Sequence, residues 1–358
     1  MKKTGFLILL VCALLLSGCS APLATQKPTA APVAEATAQP EIKQYNATFL
    51  NYFDTVTTVI GRAETEEAFT ENANAVRDLL GKYHDLFDIY NDYEGINNLK
   101  TVNDNAGIAP VKVDEAIIDL LEDCKAFYEA TGGCTNVCMG SVLVLWHEAR
   151  SAGRIDPANA KLPDDQALRD AAQYTFINAL VIDRENGTVY ISDPNVRLDV
   201  GAVAKGWTAQ RVAEQVAEGL LISVGGNVVA TGPKDALTNT PWVVGVQHPD
   251  DANQYLHTLN LMKGCVVTSG DYQRAYVVDG EYYHHIIDPE TLYPSKYWRS
   301  VTVVADDSGA ADALSTALFI LPLEEGMELA KAFDAEVLWV NAAGEKYYTD
   351  GFMAIVRQ

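Results

Sequence analysis

The chain has 358 residues, 48% hydrophobic and 21% charged, with a formal charge of −22. That composition is enough for one large or two modest globular domains. The acidity repels phosphate backbones and so argues against nucleic-acid binding; beyond this it says only that the surface is well solvated.

Lys2 and Lys3 precede an apolar run, Phe6 to Leu16, that is too short to span a bilayer. The run ends in Leu16-Ser17-Gly18-Cys19, which resembles a bacterial lipobox, where the Cys thiol carries a diacylglycerol. Residues 1–18 are expected to be a lipoprotein signal peptide and Cys19 the lipidated residue, tethering an exported protein to the outer face of a membrane. An ordinary secretory signal with an incidental Cys19 is the alternative. Residues 19–42, rich in Ala, Pro and Thr, read as a linker, leaving 43–358 as the folded domain. No other stretch approaches about 18 uninterrupted apolar residues. Of the six cysteines, Cys124, Cys134, Cys138 and Cys265 remain in the domain. Their spacing is not that of a zinc site; a disulfide between Cys134 and Cys138 is allowed outside the cell, and buried thiols are the plainer reading.

In chain order, Tyr45 to Ile60 alternates and reads as one strand. Thr65 is a helix N-cap, and Val76, Leu80, Tyr83 and Phe87 recur on one face of a helix running to Tyr90. Asn91 to Asn105 is polar and reads as a loop, Asp114 to Ala130 as a second amphipathic helix. Cys134 to His147 is mostly apolar, and Asp156 to Asp170 is a loop or small insertion. Strands are expected at Ala179–Asp183, Val189–Ser192 and Val196–Val200, then a helix from Gly201 to Glu218. Further strands follow at Leu220–Val224, Asn227–Ala230, Trp242–Gln247, Tyr255–Leu261 and Cys265–Val267. Asp279-Gly280 joins Arg274–Val278 to Glu281–Ile287 as a hairpin. Ser300–Ala305 is a strand, Ala310–Leu321 and Glu324–Phe333 are helices, and Val337–Val340 and Phe352–Val356 close the chain as strands. Runs of strands followed by helices argue an α+β fold of mixed or antiparallel sheets with packed helices.

Four segments could carry chemistry. Asp199 to Gly206 ends a strand in an acid and opens a helix whose amides and Lys205 suit an anion, although a plain strand–helix connection reads as well. Gly225-Gly226-Asn227 allows a close backbone approach or a turn. Asp312 and Thr316 place a carboxylate and a hydroxyl one helical turn apart, oxygens of the kind Mg²⁺ accepts. Of His284 and His285, neighbours on a strand, only one can face a site, where it could act as a base.

Taken in order, Asp199-Val-Gly-Ala-Val-Ala-Lys-Gly206, Val224-Gly-Gly-Asn227, Thr268-Ser-Gly-Asp-Tyr272, His285-Ile-Ile-Asp-Pro289 and Asp312-Ala-Leu-Ser-Thr316 resemble the ApbE family of FAD:protein FMN transferases. Phe87-Asp-Ile-Tyr90 and Asn136 to Trp146 fit the same family, and the resemblance covers roughly Tyr45 to Gln358. It implies a tunnelling-fold-like core in two subdomains. It also implies transfer of FMN from FAD to a Thr hydroxyl of a membrane-associated acceptor flavoprotein, with AMP leaving. Mg²⁺ would be held by Asp312, Thr316, the Ala202 carbonyl and Ser315, and His285 would be the base for the acceptor hydroxyl. Contacts to FAD would come from Phe53, Tyr90, Thr135, Asn136, Asp199, Lys205, Ser269 and Ile286. Phe53 stands where the family commonly has Met, and Thr135-Asn136 where many members have Phe-Asp. A hydrolase splitting FAD to FMN and AMP, or a lipid-anchored flavin- or solute-binding protein, are the competing readings; a pure binder has no need of the Asp312–Thr316 pair.

Overall fold

The computed structural model describes residues 41–272 and 274–358, so the segment expected to be a signal peptide, Cys19 and most of the expected linker lie outside the described residues. Glu41–Gln358 forms one compact unit. β1 (Lys43–Tyr52) and β2 (Thr55–Ala63) pair antiparallel where the sequence reads as one strand. The chain reverses at Phe53 and Asp54, both at φ 52°. A two-residue reversal of this hand usually takes Asn-Gly, so Phe-Asp gives no turn signal. α1 (Glu66–Phe87) starts at Thr65, whose hydroxyl accepts from the Ala68 amide.

The stretch expected as a loop after α1 contains α2 (Leu99–Asp104), set by a reciprocal cap between Asn98 and Thr101. β3 (Val111–Lys112) and α3 (Glu115–Ala130) follow, and the apolar stretch beyond forms α4 (Gly140–Ile155). α5 (Asp165–Ala172), capped by Asp164, occupies the end of the second expected loop. In both corrected loops a side-chain cap starts a short helix that polar composition conceals. β4 (Leu180–Asp183) and β5 (Thr188–Ile191) complete a small sheet in the order β3-β5-β4.

Val196–Val200 is extended but is not a strand of a sheet. Its backbone is satisfied singly: the Leu198 amide donates to Asn103 Oδ1, the Asp199 amide to the Val137 carbonyl, and the Arg197 carbonyl accepts from Gly140. α6 (Ala204–Gln215) is shorter than expected at both ends. Then come β6 (Leu220–Val224), β7 (Asn227–Ala230), β8 (Trp242–His248), β9 (Asp251–Leu261), β10 (Gly264–Gly270), β11 (Tyr276–Val278), β12 (Glu281–Tyr283) and β13 (Trp298–Ala305). β12 stops at Tyr283, well short of Ile287, because the His284 side chain takes over the backbone bonding beyond it. α7 (Ser308–Ile320), α8 (Leu323–Ala332), β14 (Glu336–Asn341) and β15 (Lys346–Tyr348) precede α9 (Phe352–Ile355), a helix where the alternation predicts a strand.

The main sheet runs β1-β2-β6-β7-β10-β13-β14-β15, antiparallel throughout. Its central strands are buried on both faces, and alternate residues serve different cores. Cys265, Val267, Val301, Val303, Val337 and Trp339 face the helices α1, α6 and α7. Val266, Leu338 and Val340 face the β8–β9 hairpin and Phe352 of α9. A third cluster joins α4 and α5 to β11 through Trp146, Leu168 and Tyr276. The main core is continuous from Val59 to Trp339, so the two expected subdomains share one interior. Cys124, Cys138 and Cys265 are buried thiols within it, and Cys134 is also free. Among the described residues no helix is long and apolar enough to cross a membrane.

Candidate active site

The centre of the site is the contact between α6 and α7. A Cβ on Gly206 would stand 2.2 Å from the Ser308 carbonyl oxygen and 2.5 Å from Asp312 Cβ, so only glycine lets the helices meet here. At that point the Gly206 amide donates to Asp312 Oδ2 at 2.8 Å. It does not close a helical turn onto Ala202, and among the described residues no backbone N–H donates to the Ala202 carbonyl. Lys205 Nζ lies 3.6 Å from the same Asp312 oxygen and donates to the Gly201 carbonyl at 3.3 Å. Asp312 is 4% exposed. Burial raises its pKa, while Lys205 and the Gly206 amide oppose that rise. Asn227 lies beside this carboxylate, yet its Nδ2 is buried without a well-formed hydrogen bond.

Asp312, Thr316 and Ala202 all line one cavity of about 980 Å³. They offer a carboxylate, a hydroxyl and a carbonyl freed from the helix ladder. These are hard oxygen donors, suited to a cation such as Mg²⁺ that completes its shell with phosphate and water. Among the described residues no group of three or more His, Cys, Asp or Glu could hold a metal, so a cation here must draw on such neutral oxygens. Ser315 is not placed to help. It is fully buried behind the wall, with its hydroxyl donating to the Asp312 carbonyl at 2.9 Å and accepting from Ser269 Oγ at 2.8 Å.

His285 enters the same cavity. Its Nδ1 is buried and unpartnered, and burial together with Arg274, His284, Lys205 and Arg150 pushes its pKa down to about 3. His284 points the other way: Nε2 donates to the Ser295 carbonyl at 2.7 Å and Nδ1 accepts from the Ile286 amide at 3.2 Å. Although β12 ends at Tyr283, the His284 ring is held in the core by its two hydrogen bonds while the next side chain, His285, enters the cavity. Thr268, Ser269 and Gly270 shape the wall beside it. Asp271, the next residue of the same motif, is turned away and buried, held by Arg299 Nε at 2.6 Å.

Phe53, Tyr90, Asn136, Asp199, Lys205, Ser269 and Ile286 line the cavity as well. Tyr90 is 57% exposed at the surface end, its ring 5.7 Å from that of His147. Asp199 Oδ1 accepts from the Gly201 amide at 2.9 Å and fixes the turn into α6. Both ends of the Asn136 amide are occupied locally, by the Thr175 carbonyl and the Cys138 amide. Thr135 is corrected outright: it is 2% exposed, with its hydroxyl donating to the Ala313 carbonyl at 2.7 Å, so it braces α7 and does not reach a ligand.

Sequence reasoning passed over Arg150, Arg274, His147 and His84, all of which line the cavity. Neither Arg150 nor Arg274 forms a salt bridge among the described residues. Burial and the neighbouring Arg274 hold the Arg150 pKa down, against the opposing pull of Tyr90 and Asp199. The spacing of Trp146, Arg150 and Arg154 on one helical face was the only available signal. The site thus combines an anion-seeking wall, a hard-oxygen cation pocket, flanking aromatic rings and a neutral histidine.

A family model described as the ApbE family matches residues 41–339. The FAD:protein FMN transferase of Treponema pallidum is 34% identical over 252 residues, covering 66% of this chain and 68% of that protein. That of Klebsiella pneumoniae is 32% identical over 276 residues, covering 75% and 82%. The crystal structure of the ApbE protein from Thermotoga maritima superposes with a TM-score of 0.76 at 29% identity, over 88% of this chain and 100% of that one. The flavin transferase ApbE from Vibrio cholerae shares the fold, with a TM-score of 0.71 at 22% identity over 88% and 100%.

Proposed function

The chain belongs to the ApbE family, and from that premise we propose that it moves FMN from FAD to a Thr hydroxyl of an acceptor flavoprotein, with Mg²⁺ bound and AMP released. It is an enzyme, an FAD:protein FMN transferase like its curated relatives. The observation that supports the finer reading is the meeting of Asp312, Thr316 and Ala202 with Lys205 and His285 in one cavity.

In this reading Asp312, Thr316 and the Ala202 carbonyl would hold Mg²⁺, which would offset the charge that develops on the pyrophosphate oxygens. Lys205, Arg150 and Arg274 face the anionic FAD. The acceptor Thr oxygen attacks the FMN phosphorus, a new P–O bond forms, and the bridging P–O bond to AMP breaks with its electron pair on AMP. His285 is neutral and so able to take the Thr proton. Its pKa is depressed partly by Arg274, Lys205 and Arg150, and an anion bound against those cations raises it into a more useful range. Phe53 and Tyr90 would flank the ring systems of FAD. Thr135 and Ser315 act from behind the wall.

The test is incubation with FAD, Mg²⁺ and a candidate acceptor, followed by ultraviolet fluorescence of the acceptor on a denaturing gel and by assay of AMP. Fluorescent acceptor with matching AMP is expected; AMP without labelled acceptor would make the chain a hydrolase, and neither product would refute the enzyme reading. We further propose export and lipid anchoring through Cys19, checked by incorporation of labelled fatty acid that Cys19→Ala abolishes.

A further inference from the structure

Asp88, at the C-terminal end of α1, makes more bonds than the end of a helix requires. Its Oδ1 accepts from the amides of Tyr90 at 2.6 Å and Asn91 at 3.1 Å. Its Oδ2 accepts from Asn91 Nδ2 at 2.9 Å and from the Tyr93 hydroxyl at 2.8 Å. The Tyr93 oxygen lies 3.4 Å from His84 Nε2, and His84 Nδ1 accepts from the Phe53 amide at 3.3 Å. The Phe53 ring also stands edge-on to the His84 ring at 5.5 Å.

These bonds can run in one direction only. An ionised carboxylate accepts and cannot donate, so Tyr93 donates to Asp88. The Tyr93 oxygen then faces His84 as an acceptor, Nε2 carries the imidazole proton, and Nδ1 is free to accept from Phe53. Burial favours the protonated carboxyl of Asp88, but the bonds from Asn91, Tyr90 and Tyr93 prevail and hold it below the usual carboxylate range. Phe53 needs such a hold: a bulky residue at φ 52° is strained and persists only where its surroundings fix it.

We propose that Asp88 is a positioning residue that holds both cavity aromatics, Tyr90 through its amide and Phe53 through Tyr93 and His84, and so fixes the slot that a flat ring system enters. The proposal rests on the reading of the cavity as an FAD site, because FAD supplies such rings. Asp88 itself lines the cavity, but its two carboxylate oxygens are taken by these four donors, so it acts through Tyr90 and Tyr93. It joins two segments far apart in sequence, the β1–β2 turn and the chain leaving α1, into one preformed wall.

The relay has a polarity that one isosteric change reverses. In Asp88→Asn the new amide donates to Tyr93, Tyr93 donates to His84 Nε2, and the imidazole proton moves to Nδ1, where it opposes the Phe53 N–H. The full chain has six histidines, so ¹⁵N-imidazole NMR can report the His84 tautomer directly. The expected results are Nε2–H in the wild type, a shift towards Nδ1–H in Asp88→Asn, and FAD binding weakened about tenfold by flavin fluorescence with kcat within about twofold. Tyr93→Phe, which removes only the hydroxyl, should weaken FAD binding comparably, and the double variant should be no weaker than either single one. If Asp88→Asn fails to fold in thermal melts, Tyr93→Phe alone decides. A wild-type His84 protonated at Nδ1, additive losses in the double variant, or a fall in kcat with unchanged FAD affinity would each overturn the pin. Absence of FAD binding by the wild-type chain would instead overturn the functional reading beneath it.

Discussion

At the scale of single residues, Asp312 and His285 carry the sharpest consequences. Asp312→Asn keeps an oxygen for the Gly206 amide but loses the charge, so transfer should fall at least about a hundredfold while the melting temperature stays within a few degrees. Unchanged Mg²⁺-dependent turnover in that variant would remove Asp312 from the cation pocket. His285 has a folded-state pKa lowered to about 3, against an ordinary value near 6.5. The unfolded chain therefore binds the extra proton first as pH falls. Stability from keeping His285 neutral is complete above about pH 6.5 and is lost progressively towards about pH 3, at up to about 1.4 kcal/mol per pH unit. Urea unfolding between pH 6.5 and 4 should show this slope, and His285→Gln should flatten it. The identities of these residues were readable from their motifs. Thr135 was misread because a polar residue in a motif can serve the core as well as the ligand, and only the partner, here the Ala313 carbonyl, tells which.

At the scale of elements, two turns decide the site. Gly206 lets α6 touch α7, and an added Cβ must displace the Ser308 carbonyl or Asp312. Gly206→Ala should cost about 1–3 kcal/mol in chemical denaturation and should weaken FAD binding as well, because Lys205 and Asp312 move apart. Loss of stability with full FAD affinity would show that the helix contact is structural alone. The β1–β2 turn makes the opposite prediction. Asp54 is exposed at φ 52°, so Asp54→Gly should relieve strain and stabilise the fold by about 0.5–1 kcal/mol, seen as a higher melting temperature. A lower melting temperature would mean that Asp54 makes a compensating contact. The long amphipathic helices α1 and α3 were legible because period and caps agree. The β1–β2 turn, α2, α5 and α9 were not, because left-handed Phe53 and four- to eight-residue helices leave no periodic signal.

At the scale of the whole molecule, a chain of net charge −22 places Arg150, Arg274 and Lys205 around one cavity. The same cavity also holds Asp54, Asp88, Glu148, Asp199 and Asp312, so any attraction for an anion is local to the three cations, and FAD binding should weaken with salt less steeply once one of them is removed. Arg150→Glu should weaken FAD binding by about tenfold or more at low ionic strength, and added salt should narrow the gap to wild type. An equal loss at every salt concentration would point to packing in place of charge. The sequence by itself determined the α+β class, the family, the long helices, most strands of the central sheet, and the residue types to which the proposed phosphate and cation chemistry is assigned. Those features are written in local periodicity, in glycine positions and in motifs only a few residues long. The tertiary structure alone decided which histidine enters the cavity, that Thr135 and Ser315 stay behind its wall, and that Arg150 and Arg274 stand beside His285. It also decided that Asp88 ties Tyr90 to Phe53. These are contacts between segments separated by tens to hundreds of residues, and no local pattern encodes a neighbour that arrives only when the sheet and helices close.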